Sequence, residues 1–340
     1  MAVNQWYILI LSFDLKRGID MIRNIFFCML LTGLTMLGEE QMIKIGGLTM
    51  DAAKVKELGL TFENVVITIP ELKKDYDFLW IADIHVISED LSEVAEKDMN
   101  VVKSRIDKTF RNRHSGKTSL EVWRGLPDVI NTSGADGVLL GGDICDFGSL
   151  ASMRELKAGF ERWKVPFLFA RADHDTEPWW MSSKPRAEMN ELGKAIDGNP
   201  DMLVMEFDDL IVAGFNNATS NLTPAGLARF KEIYVKKKPI ILVTHVPIRS
   251  ELDTSLSDEC MRRDDQKRDL TWGAKCFYSP NAVTAEFLKL VCADDSPVRA
   301  VLAGHLHYRW EGPLTPKIRQ YLFTPGFTGN LGVISLRRAQ

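Results

Sequence analysis

Residues 78–85 read Phe-Leu-Trp-Ile-Ala-Asp-Ile-His. Five apolar residues run without alternation into an aspartate and a histidine spaced by two. A continuous apolar run of this length suits a strand covered on both faces. A carboxylate and an imidazole at its end are costly to desolvate together unless they hold something. The same event recurs four times. Gly137–Leu140 leads into Gly141-Gly142-Asp143, and Phe167–Ala170 into Asp173-His174-Asp175. Ile240–Thr244 ends on His245, and Val298–Ala303 on Gly304-His305-Leu306-His307. Of the six histidines only His114 lies outside this set.

Between the strands lie helical patterns with legible starts. Ser149 precedes one, Thr223-Pro224 opens a second and Ser279-Pro280 a third, the prolines suiting a first helical position. Strands alternating with helices predict a layered α/β domain. In an open α/β sheet the strand ends gather at one edge, where ligands bind. Asp83 and His85 alternate by two, as do His305 and His307, so each pair is expected on one side of an extended segment. Carboxylates mixed with imidazoles suit first-row transition metals. The supply is too large for one tetrahedral site; shared through a bridging aspartate it suits two ions about 3.5–4 Å apart.

The ordered set D-x-H, G-D, x-H-D, H and G-H-x-H resembles the signature of the calcineurin-like metallophosphoesterase family, over roughly residues 76 to 335. The resemblance implies a four-layer α/β/β/α sandwich and a metal-dependent hydrolase of phosphate esters, using a dinuclear centre and a bridging hydroxide. It implies Asp83, His85 and His307 on a first metal, Asp143 bridging, and Asp173, His245 and His305 on a second, the ions being Mn, Fe or Zn, divalent or mixed-valence. His174 would face the substrate phosphate, with Asp175 as its partner. The family prefers Gly-Asn-His where this chain has Ala172-Asp173-His174. A third carboxylate in the ligand set should bind metal firmly and favour a harder or more highly charged ion.

The bounds are ordinary: 340 residues, 45% hydrophobic, formal net charge −4, pI about 5.9. No basic excess predicts a nucleic-acid surface, so a small phosphorylated substrate is expected. The five cysteines form no CxxC pair, which argues against a zinc ribbon and for free thiols. The chain divides into an extension over 1–40, a lead-in over 41–75 and the catalytic domain over 76–340. Arg23, the apolar run 25–37 and acidic Glu39-Glu40 follow the order of a signal peptide, too short for a comfortable membrane span. That order predicts a secreted or extracytoplasmic protein, and a cytoplasmic one if the run is not a signal. Two polar excursions, 86–127 (helical around 91–110) and 248–278, leave from strand ends, where loops carry specificity. Basic Arg262, Arg263 and Lys267 in the second are read as a solvated face, and Asp146 as a helix cap or a second layer behind the metals. Alternatives from other classes are a catalytically silent binding scaffold of this fold, and a nuclease or cyclic-nucleotide phosphodiesterase.

Overall fold

The computed structural model describes residues 42–175, 186–198, 201–215 and 221–339. The signal-like run, Cys28 and Trp179-Trp180 lie outside them. A hairpin of β1 (Met42–Ile45) and β2 (Leu48–Asp51) leads into α1 (Ala52–Leu58), whose first N–H groups donate to the Asp51 carboxylate. Then come β3 (Thr61–Thr68), β4 (Tyr76–Ile81), α2 (Met99–Ser104), α3 (Ser119–Ile130) and β5 (Gly137–Leu140). The middle of the chain gives α4 (Leu150–Phe160), β6 (Phe167–Phe169), α5 (Arg186–Asp197), β7 (Met202–Glu206), β8 (Ile211–Phe215), α6 (Pro224–Tyr234) and β9 (Ile240–Thr244). It closes with α7 (Ser255–Arg263), α8 (Ala282–Val291), β10 (Val298–Ala303), β11 (Trp310–Pro313), β12 (Arg319–Leu322) and β13 (Asn330–Arg337).

Two main sheets form. One has the order β3-β13-β4-β5-β6, the other β11-β12-β10-β9-β8-β7. Strands β4, β5 and β6 are mutually parallel, as are β8, β9, β10 and β12. Parallel neighbours need a crossover, and α3, α4, α6 and α8 supply it. The inner faces meet through Phe78, Trp80 and Ile334 on one sheet and Val243, Leu302 and Phe323 on the other. The outer face of the first packs Leu79, Ile81 and Leu140 against Trp123, Leu126 and Phe160 of its helices. The outer face of the second packs Ile240, Leu242 and Val301 against Phe230 and Phe287. Each such side chain, fully buried, contributes about 1.5–3 kcal/mol. The four-layer α/β/β/α sandwich is therefore built by strands apolar on both faces.

The helix starts follow the expected chemistry with one exception. Ser149 and Thr223 accept from N–H groups three residues on, as N-caps. The third cap is Asn281, not Ser279, because its side chain accepts from Thr284 N–H while Pro280 stays outside the helix. Helical turns in the first excursion span 96–109. The segment 41–75 is more than a lead-in: β3 pairs along its whole length with β13, and residues 40–340 form one compact unit. Cys145, Cys260, Cys276 and Cys292 are free thiols, the first three buried. Among the described residues no helix is long and apolar enough to cross a membrane.

Candidate metal centre

The loops after β4, β5, β6, β9 and β10 converge at one edge. Their backbones are tied across the sheets: His305 N–H donates to both Asp83 carboxylate oxygens (3.0 and 3.2 Å), and Gly304 N–H to the His245 carbonyl (3.1 Å). Asp83, His85, Asp143, His305 and His307 all adopt left-handed backbone, with φ of 53, 52, 51, 74 and 56°. The extended geometry expected for D-x-H and H-x-H is thus corrected. The chain coils back so that donors two residues apart share one centre, at about 1–2 kcal/mol for each non-glycine residue. Strain of this kind clusters at functional sites.

The donors fall into overlapping groups. Single ligand atoms of Asp83, His85, Asp143 and His307 lie within 4.8 Å of one another, and so do those of Asp143, Asp173 and His245. Asp143 belongs to both. His305 lies against the second group, its Nδ1 3.3 Å from His245 Nε2. All seven residues expected to be ligands therefore come together. Two buried atoms here have no hydrogen-bond partner, Asp143 Oδ1 and His305 Nε2. Orphaned buried acceptors are rare without a missing ion or water.

Tautomers are set from behind. His245 Nδ1 lies 2.8 Å from the Gly141 carbonyl and His85 Nδ1 2.9 Å from Asp146, so both Nδ1 atoms donate and both Nε2 lone pairs turn inward. The two Nε2 atoms of His85 and His307 are 3.2 Å apart. A lone pair facing another ring nitrogen at that distance suits a cation between or beside them. Burial together with His245 pulls His305 down to about 3 and keeps it neutral. Burial raises Asp83 and Asp143, but neighbouring histidines outweigh it and hold both below the usual carboxylate range. The donor set thus fits two transition-metal ions.

The partner of His174 is Asp146 rather than Asp175. His174 Nδ1 is 3.1 Å from Asp146 Oδ1. Asp175 spends its oxygens on three backbone N–H groups, those of Asp143 (3.0 Å), Cys145 (2.8 Å) and Ala172 (2.8 Å). Burial and Asp143 push it up to about 7. Asp175 staples the β5 and β6 loops together. Asp146, fully buried, also accepts from Arg105 Nε and Nη2, both at 2.6 Å, and its carboxyl is held far below the ordinary range by these donors against the cost of burial. Burial pulls His174 down, yet Asp143 and Asp146 push it up to about 10.

A cavity of about 540 Å³ opens over this centre. Besides His174 and the candidate ligands other than Asp83 and His245, it is lined by Arg105 from the first excursion and by Arg268, Leu270, Phe277 and Tyr278 from the second. None of these five was singled out from the sequence, because irregular loops carry no period; only their departure from strand ends marked them. Tyr278 stands with its ring 5.2 Å from that of His305. Arg262 and Arg263 instead pair with Glu259, and His114 is exposed away from the site.

A four-layer sandwich with a shared-aspartate donor set at its strand ends defines a metal-dependent hydrolase. The family model for calcineurin-like phosphoesterases matches residues 76–309, and the chain belongs to that family. It is a metal-dependent phosphoesterase, and clustered carboxylates and histidines at its strand ends could hold the metals. Solved structures with partial likeness include a dimetal phosphatase from Danio rerio, at 12% identity over 74% of this chain and 88% of that one, TM-score 0.41. A purple acid phosphatase from yellow lupin (Lupinus luteus) seeds is 12% identical over 77% of this chain and 45% of that one, TM-score 0.43. Phosphopantetheinyl hydrolase from Mycobacterium tuberculosis is 11% identical over 75% and 91%, TM-score 0.42. A comparison with curated protein sequences returns no significant match.

Proposed function

We propose that the protein hydrolyses the phosphate ester bond of a small phosphorylated substrate at this centre. The observation that carries the reading is the convergence of seven donors, two of their buried atoms unpartnered, beside a histidine that is held by a buried carboxylate and lines the cavity. Asp83, His85, Asp143 and His307 would hold one metal, and Asp143, Asp173, His245 and His305 the other. When bound, such ions supply an activated water and neutralise phosphoryl charge. The protein does the rest. Asp146 fixes the His174 ring through Nδ1, which leaves Nε2 as the edge that can donate to the leaving oxygen. Arg105 neutralises Asp146 from behind and keeps that carboxylate ionised, so the proton remains on the imidazole. Gly141 O and Asp146 hold their histidines with lone pairs inward, so the site is organised before any ion arrives.

The test is elemental analysis of the purified chain with a panel of phosphate monoesters and diesters under added Mn²⁺, Zn²⁺ or Fe²⁺. Bound metal near two equivalents and turnover of at least one ester class are expected. Absence of both metal and turnover in every condition would replace this reading with that of a silent binding scaffold.

A further inference from the structure

The cavity over the metal donors does not end at the second excursion. Arg268 and Phe277 line it, and the same two residues line a neighbouring cleft of about 470 Å³ on their other side. That cleft presents four cationic side chains, Arg249, Lys267, Arg268 and Lys275, against two acidic ones, Asp258 and Asp269. Asp258 accepts from Thr254 Oγ1 and Asp269 from Thr271 Oγ1, and Asp269 also stands 3.7 Å from Arg249. Arg268 is paired with Asp264 at 2.7 Å, whereas the two lysines have no carboxylate partner among the described residues. Lys275 makes no hydrogen bond or ion pair among the described residues, Lys267 reaches only the Arg262 carbonyl, and Arg249 sits no closer than 3.4 Å to a carboxylate. The two lysines lie in the cleft that shares Arg268 and Phe277 with the cavity over the metal donors.

The wall between the two spaces is apolar. Phe277 is 55% exposed and is the one aromatic among the large exposed hydrophobic side chains of the described residues. The Arg268 guanidinium lies 4.9 Å from its ring centre, while Leu270 and Tyr278 continue the surface toward His305. An exposed aromatic at a cavity mouth, flanked by cations, is a surface for a planar group with charge beyond it.

We propose that residues 249–278 build a leaving-group subsite, and that the favoured ester has a planar or apolar leaving group ending in a second anionic group, a carboxylate or phosphate. This rests on the phosphoesterase reading for the placement of the scissile phosphate. Phe277 and Leu270 receive the apolar part, and Lys267 and Lys275 attract the distal anion.

The experiment uses the full-length, metal-loaded chain and two non-hydrolysable probes, benzylphosphonate and 4-(2-carboxyethyl)benzylphosphonate, titrated calorimetrically. The carboxylated probe is expected to bind about tenfold more tightly at low salt, a difference of about 1.4 kcal/mol, with the ratio shrinking as ionic strength rises. Lys275→Glu and Lys267→Glu, both at exposed positions, are each expected to bring the ratio to about one while leaving benzylphosphonate affinity unchanged. Equal affinity of the wild-type chain for the two probes overturns the proposal, as does a ratio kept in both variants. Hydrolysis of phenyl phosphate is followed separately. Discrimination between the probes without hydrolysis of any ester keeps the subsite and overturns the hydrolase reading; hydrolysis without discrimination does the reverse.

Discussion

Replacing Asp146 by asparagine removes one charge from a fully buried carboxylate that meets four donors: Arg105 Nε and Nη2 at 2.6 Å, His85 Nδ1 at 2.9 Å and His174 Nδ1 at 3.1 Å. Asparagine keeps one acceptor oxygen and presents an amide where the second oxygen stood, so at least one Arg105 bond is lost and the partly exposed guanidinium loses the Asp146 charge. Breaking a fully buried ionic network from one side costs about 3–5 kcal/mol, an upper bound here because the guanidinium is partly exposed. At about 2–4 °C per kcal/mol for a domain somewhat smaller than this one, that bound corresponds to a fall in melting temperature of roughly 6–20 °C. Function should suffer in two separable ways. His174 loses the anion that favours its protonated form, and kcat should fall by about 10²–10⁴-fold, as for loss of a general acid. His85 loses its orienting partner, and metal affinity should drop by about 10–100-fold. The assay is kcat and KM at saturating metal, with elemental analysis and thermal melts on the same preparation. A variant within threefold of wild-type kcat, with full metal content, refutes the pairing of Asp146 with His174. The sign of the pH effect is also fixed: a depressed folded-state carboxyl contributes stability above its unfolded value near 4, and loses it as pH falls toward the folded value. Asp146→Asn should show less of this acid-side loss than the wild-type chain, the remainder coming from carboxyls such as Asp83 and Asp143 that are also held low.

A Cβ at Gly304 would stand 2.7 Å from Asp83 Oδ2, so Gly304→Ala should displace that carboxylate and lower metal occupancy at fixed free metal. Gly134→Ala, with positive φ but open space around it, should cost only about 1–2 kcal/mol of stability and no metal, and equal occupancy in the two variants would contradict the steric argument. Asp173→Asn removes one of the carboxylates gathered with Asp143 and His245 and should weaken metal binding while shifting turnover; unchanged metal content and rate would mean that this carboxylate does not tune the site. Chelation should lower the melting temperature, since a ligand at 100 times its Kd stabilises by about 2.7 kcal/mol and the apo site leaves carboxylates crowded together. An identical melt with and without chelator would show that the donors hold no ion in solution.

Residues adjacent in sequence mislead where a turn separates their side chains. The family resemblance implied Asp175, the next residue, as the partner of His174, but the β6 loop swings its carboxylate back onto the N–H groups of Asp143, Cys145 and Ala172. The carboxylate that does reach His174 is 28 residues away, in the loop after β5. D-x-H spacing also predicted the right outcome by the wrong geometry, since two residues apart places side chains together in left-handed coiling as well as in an extended strand.

Strand ends, the clustering of candidate metal donors and two of the three helix caps were legible in the amino-acid order because each depends on local rules: apolar runs bury, serine and threonine cap, and carboxylates with imidazoles at strand ends gather at one edge of the sheet. Tertiary structure alone decided what those residues do for one another. It set Asp146 between Arg105, His85 and His174, made Asp175 a staple, and brought Tyr278, Phe277 and Arg268 over the metal donors. These pairings join loops separated by tens to hundreds of residues. No local periodicity encodes them, and they exist only once two sheets have packed face to face.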